Sequence, residues 1–210
     1  ESCYEKGALC CLGEKEYAYN GHSYIQVTST FQALKDIAEY YRSTLEIPVV
    51  GITGSVGKTS TKEMIASVLG VKFNTLKTAG NFNNEVGLPL TVFNIREEHE
   101  AAVLEMGISD FGEMHRLSKV ARPNICVITN IGFCHLEFLG DRDGVLRAKS
   151  EIFDFAAENA KAIVNGDDDK LRTLKSREDL NVTLFGMDES NDVYASNVQN
   201  LGLYGLKCDI

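Results

Sequence analysis

The chain of 210 residues has no tryptophan and three prolines, and no apolar run in it approaches the roughly 20 residues that cross a bilayer. That argues against stable membrane insertion. Basic residues are in deficit, 21 against 30 acidic ones, for a formal charge of −9. Such a balance excludes a broad nucleic-acid-binding surface, although a basic pocket for an anion is compatible with it. The six cysteines (Cys3, Cys10, Cys11, Cys126, Cys134 and Cys208) include no CxxC pair, and Cys126 lies in an apolar run where it serves as a small hydrophobe. Neither a zinc site nor a disulfide framework is expected, and a reduced, cytoplasmic chain is. There is no basic, apolar leader and no initial methionine, which points to a piece of a longer protein. What is present is 44% hydrophobic and 24% charged, an ordinary globular composition, long enough for one domain and part of a second.

No repeat or low-complexity tract interrupts the chain. Residues 3–13 read as the end of a helix, a turn at Gly7 and a short strand, and 24–27 as a second strand. Residues 28–45 place Phe31, Leu34, Ile37, Ala38, Tyr41 and Leu45 at helical spacing behind Ser/Thr caps. Pro48 marks a boundary, and a domain junction is expected near residue 47. Strands are then expected at 49–53, 101–106, 125–129 and 162–164, and helices at 58–70, 110–121 and 143–159. This alternation predicts an α/β fold with a mostly parallel sheet flanked by helices, preceded by a piece of a smaller α/β domain. In such sheets ligands bind beyond the carboxyl ends of the strands.

The first of those ends reads "VVGITGSVGKTSTKE". A strict phosphate-loop pattern wants glycine where Ile52 stands. The physics survives without it: Gly54 and Gly57 permit close backbone approach around Ser55 and Val56, and the helix that follows presents its positive end to an anion. Lys58 can reach the outer phosphates, and the Thr59 hydroxyl, followed by Ser60, can ligate Mg²⁺. Met64, Ile65, Val68 and Leu69 are expected to form the apolar stripe of the helix.

Polar residues intrude at the other strand ends. Glu105 closes an apolar strand, where a carboxylate needs a cation or strong donors; Mg²⁺ or a structural arginine would serve. Asn130, Gly132 and His135 follow the strand at 125–129, and His135 can be a ligand or a structural hydrogen-bonding residue. Lys149 falls on the same helical face as Val145, Ile152, Phe153 and Ala156, where lysines are uncommon. It either pairs with an acid or has a chemical role. Asn81, Asn83 and Asn84 can contact phosphates or cap the next helix. Asn165 and Asp167 follow a further strand, in an acidic run that can also be a solvated turn.

Taken together, "TGSVGKTSTKE", "GNFNNEVGLPLT", "LEMGISDFGEM", "RPNICVITNIGFCHLE" and "RAKSEIF" resemble the Mur ligase superfamily of ATP-dependent amide-forming enzymes. They look most like the branch that adds D-alanyl-D-alanine to UDP-N-acetylmuramoyl-tripeptide in peptidoglycan synthesis. The resemblance implies three domains, of which residues 1–47 are the tail of the UDP-substrate-binding one and 48–210 an incomplete ATP-binding one. The third domain is absent, so the stretch by itself is expected to be inactive. ATP and Mg²⁺ are the implied cofactors, the protein is expected to be a monomer, and the carboxylate is activated as an acyl phosphate. By motif match, Lys58 stabilises the γ-phosphate, and Thr59 and Glu105 hold one Mg²⁺. His135 holds a second, and Lys149, carbamylated, helps to hold the pair. Asn84 is the matching asparagine, with Asn81 and Asn83 as competitors. Two alternatives stand beside this reading: a folylpolyglutamate synthase-like ligase, and a nucleotide-binding module without catalysis.

Overall fold

A computed structural model describes residues 2–16 and 21–210. The N-terminal part holds helix α1 (Ser2–Glu5), strands β1 (Cys10–Gly13) and β2 (Ser23–Gln26), and helix α2 (Thr30–Ser43). β1 and β2 pair in parallel as a sheet of their own. The expected turn at Gly7 is present, at φ +92°. Ser29 caps α2, its hydroxyl accepting the Gln32 amide at 3.2 Å.

From Val49 strands and helices alternate. They are β3 (Val49–Thr53), α3 (Lys58–Leu69), β4 (Thr75–Lys77), α4 (Gly87–Val92), β5 (Ala101–Glu105), α5 (Glu113–Ala121) and β6 (Ile125–Ile128). There follow α6 (Leu136–Leu139), α7 (Arg142–Ser150), β7 (Lys161–Asn165), α8 (Asp169–Arg172), β8 (Asn181–Gly186) and β9 (Val193–Tyr194). Strands β3 to β9 form one parallel sheet in the order β4-β5-β3-β6-β7-β8-β9. An antiparallel pair, β10 (Ser196–Asn200) and β11 (Leu206–Asp209), closes the chain.

Every residue of β3 and β5 is buried, because helices cover both faces there. On one face Leu88, Leu104, Met114, Leu117, Ile128 and Ile152 build the main core under α4, α5 and α7. On the other, Val50, Ile52, Val103 and Val127 meet Ala66 of α3. Helix α2 shares the main core: Ala38 is buried in it, the Tyr41 hydroxyl donates to the Ile95 carbonyl at 2.6 Å, and Arg42 Nε donates to the Ala121 carbonyl at 2.9 Å.

Two expectations need correction. The helix over 143–159 ends at Ser150 and passes through a 3-10 turn, Glu151–Phe153. Its continuing backbone groups are taken by α5: the Ser118 hydroxyl donates to the Ile152 carbonyl and accepts the Phe155 amide. The Glu151 carboxylate is likewise taken, by the Gly112 and His115 amides. The stripe on α3 is also shifted. Met64 and Val68 are 70% and 73% exposed, and the inward face is Lys62, Ile65, Ala66 and Leu69. Ile65 and Leu69 face the core as the pattern predicts; a buried lysine takes the position that the apolar pattern would give to a hydrophobe.

Candidate active site at the carboxyl edge of the sheet

β4 and β6 lie on opposite sides of β3, so the direction of winding reverses at β3, and the loop after it opens on the crevice where such sheets bind ligands. Gly54 has φ +148°, and a Cβ there would meet Thr129 Oγ1 at 1.9 Å, so no side chain fits. Gly57, at φ +81°, starts α3. The amides of Gly57, Lys58 and Thr59 make no hydrogen bond among the described residues, which leaves an anion-binding helix start. Lys58 folds back over the loop, its Nζ donating to the Gly54 carbonyl at 2.8 Å. Val56 and Ser60 are exposed at the loop tip and the first turn.

The loop faces a cavity of about 410 Å³ lined by Gly54, Ser55, Lys58, Asn83, Asn84, Cys134, His135 and Lys149, among others. Larger hollows, of about 540, 650 and 500 Å³, lie elsewhere, around 153–162 with 178–181, around 166–190 and around 63–77. None of these holds a helix start next to lysines, so the smaller cavity is the candidate site.

Glu105 is 2% exposed at the end of β5. Its Oε2 accepts the Thr59 hydroxyl at 3.0 Å, and its Oε1 accepts Asn83 Nδ2 at 2.9 Å. The cation beside it is Lys62, 1% exposed, with Nζ 3.7 Å from Glu105 Oε2 and 3.2 Å from Glu63 Oε1. Thus a lysine fills the place for which an arginine was the structural expectation. Glu63 in turn pairs with Lys77 at the surface. Thr59 and Glu105 put two oxygens side by side, the donor type that Mg²⁺ prefers; neither lines the cavity itself, and Asn83, which does, connects them to it. Among the described residues no group of three His, Cys, Asp or Glu forms a ready-made metal cluster. A metal here would complete its shell with other oxygens.

Lys149 is 2% exposed and has no hydrogen-bond or ion-pair partner among the described residues. Of its two alternatives, the pairing with an acid across the helix interface is not found among the described residues. Burial pulls its pKa down to about 8; Cys134 opposes that and the Lys58 charge adds to it. His135 starts α6 in a left-handed conformation, φ +53°, at the exposed rim of the same cavity.

The asparagines divide. Asn83 reaches Glu105, whereas Asn84 Oδ1 accepts the Val86 and Gly87 amides, so it caps the start of α4 while lining the cavity. Asn81 is exposed and outside the cavity lining. Asn165 and Asp167 also lie outside that lining; Asp167 accepts the Met187 and Asp188 amides and ties β7 to the loop after β8. Sequence reasoning passed over Lys62 and Cys134, whose Sγ is 3.1 Å from Ser55 Oγ. The signal for Lys62 was the one used for Lys149, a lysine at helical spacing among apolar residues.

A family model for the Mur ligase middle domain matches residues 52–202. The chain belongs to the Mur ligase family. Among Mur ligases it is most similar to the MurF type. It is 40% identical over 200 residues to the UDP-N-acetylmuramoyl-tripeptide--D-alanyl-D-alanine ligase of Bacillus subtilis, covering 94% of this chain and 43% of that protein. The crystal structure of the MurF ligase of Thermotoga maritima in complex with ADP superposes with a TM-score of 0.85 at 33% identity. That match covers 98% of this chain and 49% of the other. A mutant FPGS of L. casei, at 16% identity and a TM-score of 0.61, shares the fold alone. This Mur ligase chain therefore spans less than half the length of the MurF-type proteins it matches.

Proposed function

We propose that the full-length protein is an ATP-dependent, ADP-forming ligase of the MurF type, joining D-alanyl-D-alanine to UDP-N-acetylmuramoyl-tripeptide in peptidoglycan synthesis. On this reading residues 1–47 complete a UDP-substrate-binding domain, and 48–210 are most of the central ATP-binding domain. The reaction belongs in the cytoplasm; no helix among the described residues is long and apolar enough to cross a membrane. The observation that carries the proposal is the cavity that Lys58, His135 and Lys149 line together at the crevice of the sheet, with the Thr59–Glu105 pair joined to its wall through Asn83.

ATP with Mg²⁺ supplies the phosphoryl group that activates the substrate carboxylate for attack by the amine. Phosphoryl transfer needs positioning and charge neutralisation more than a protein nucleophile, and the cavity offers just those. The amides of residues 57–59 and the Lys58 ammonium hold the phosphate oxygens. Thr59 and Glu105 would supply oxygen ligands to one Mg²⁺, and His135 a nitrogen ligand to a second. Lys149, buried and unpaired, is suited to capture CO₂ as a carbamate, which would turn an uncompensated cation into an oxygen ligand. Asn83, by its bond to Glu105, is a better candidate than Asn84 for holding the metal-binding carboxylate.

The MurF-type reading is favoured over the folylpolyglutamate synthase-like one by the difference in identity between superposed structures, 33% against 16%. The test is ADP release by the full-length protein, supplied either with UDP-N-acetylmuramoyl-tripeptide and D-alanyl-D-alanine or with folate and glutamate. Release with the first pair only is expected. Release with the second would move the protein to the folate branch, and nucleotide binding without release would make it a binding module. The 210-residue chain alone is expected to bind an anion in the loop and to form no amide.

A further inference from the structure

The phosphate loop carries five consecutive amides, and the structure treats them in two groups. Those of Gly57, Lys58 and Thr59 are free of protein partners among the described residues. Those of Ser55 and Val56 are both taken by one side chain: Asn130 Oδ1 accepts each of them at 3.0 Å. The Ser55 amide also donates to the Asn130 carbonyl at 3.1 Å, one step beyond the Thr129 amide to Thr53 carbonyl bond at 3.0 Å. It therefore continues the β3–β6 ladder sideways, in the plane of the sheet, rather than pointing to the cavity. Asn130 is itself absent from the cavity lining, although Gly54 and Ser55 are part of it.

We infer that Asn130 is a positioning residue that holds the first half of the phosphate loop, so that the amides presented to phosphate are those from Gly57 onward, short of the first one bonded back into the helix, that of Thr61. Resting on the reading of residues 54–60 as a phosphate loop, the inference assigns Asn130 a task without contact to the nucleotide. Neighbouring bonds make the brace stiff. Thr129 Oγ1 donates to the Val56 carbonyl at 2.6 Å, and the Gly132 amide donates to Ser55 Oγ at 2.8 Å. Behind it, the Ile131 amide donates to Asp168 Oδ2 at 2.7 Å, and Arg142 Nε donates to the Ile131 carbonyl at 2.8 Å. The segment after β6 is thus gripped from both sides, and a glycine-containing loop, which would otherwise sample many conformations, is held in one. Preorganisation of this kind raises affinity by removing the cost of ordering the loop on binding.

The opposite geometry, Asn130 Oδ1 standing where a phosphate oxygen must go, would make the same side chain a stopper. The two differ in sign. In the full-length protein, Asn130→Ala should weaken ADP binding about tenfold, as expected for loss of a hydrogen-bonding arrangement around a charged group, and should speed hydrogen exchange at the Ser55 and Val56 amides. Asn130→Asp keeps an acceptor for both amides and should restore their protection. In the unaltered protein, ADP should newly protect the amides of 57–59 while leaving those of 55 and 56 as protected as before; this measurement needs no variant to fold. Tighter or unchanged ADP binding by Asn130→Ala overturns the inference, as does new protection of Ser55 and Val56 by ADP. Lys58→Met serves as the reference: if it leaves ADP binding intact, the phosphate-loop reading itself fails. If it weakens binding and Asn130→Ala does not, only the brace is wrong.

Discussion

Around β3, β5 and α7 the charged side chains lie inside: Lys62, Glu105 and Lys149 are each no more than 2% exposed. Around β8 and β9 they lie outside, as in the Lys175–Asp192 pair, whose side chains are 47% and 44% exposed. Both regions belong to one parallel sheet, and both have lysines next to carboxylates. The difference is the covering. β3 and β5 have helices on both faces and are buried at every residue, whereas β7 and β8 alternate and β9 is exposed. A charge buried between layers must have a partner or a task, because its desolvation is not returned otherwise. A charge at the open edge is solvated and screened, so its pairing matters little. The buried region is the one that holds the candidate chemistry.

The sharpest way to break this contrast is to remove one cation from each region. Lys62→Met keeps the volume and leaves Glu105 without its charge partner, so a loss of about 3–5 kcal/mol is expected in urea unfolding, the usual cost of breaking a buried pair. Lys175→Met should cost about 0–1 kcal/mol. Equal losses would mean that burial does not govern these pairs. Packing offers a second comparison: Leu104→Ala, in the doubly covered strand β5, should cost about 2–5 kcal/mol. Phe185→Ala, at a half-buried position of β8, should cost less by the same measurement.

A binding comparison is next in size. In the full-length protein Lys58→Met should weaken ADP about tenfold or more, because a charge-assisted contact to phosphate is lost. Asp167→Asn, whose side chain serves the loop after β8, should leave the affinity within about twofold, given its place outside the cavity. A calorimetric titration of each variant decides it, and a strong effect of Asp167→Asn would extend the site toward β8. The smallest effect is chemical. Burial pushes the Cys126 thiol up to about 12, so at pH 8 it remains protonated and should resist alkylation until the protein unfolds. Cys134, at the cavity wall, should react in the folded state and be protected by ADP. Equal labelling of the two, read by mass spectrometry, would show that the core around β6 opens easily.

How much of this was legible beforehand follows the same division. The buried strands at 49–53 and 101–106 were readable because full coverage demands unbroken apolar runs. Strand β4 and strands β8 to β11 were passed over, since they are short, partly exposed and free to carry polar residues. Lys58 and Thr59 stood out through the glycine loop that precedes them, and Glu105 and Lys149 as polar residues where apolar ones were expected. Lys62 obeyed the same rule and was missed, because Met64 and Val68 offered a competing apolar stripe on the wrong side of α3. Asn84 and Asn83 could not be told apart by spacing: adjacent residues in an irregular loop point in different directions, and only the folded backbone sends one to Glu105 and the other to the helix start.

By itself the sequence determined the alternation of strands and helices, the glycine loop with its lysine, and the family to which these belong. Those are local properties, set by periodicity and by the few residues that a sharp turn before a helix accepts. The tertiary structure alone decided which amides the loop leaves free, that Lys62 rather than an arginine neutralises Glu105, and that α7 gives way after Ser150. Each of these depends on groups far apart in the chain: Ser55 meets Asn130, Lys62 meets Glu105, and Ser118 meets Ile152 and Phe155. A hydrogen bond or an ion pair acts over about 3–4 Å, and only the packed sheet brings these partners within that reach.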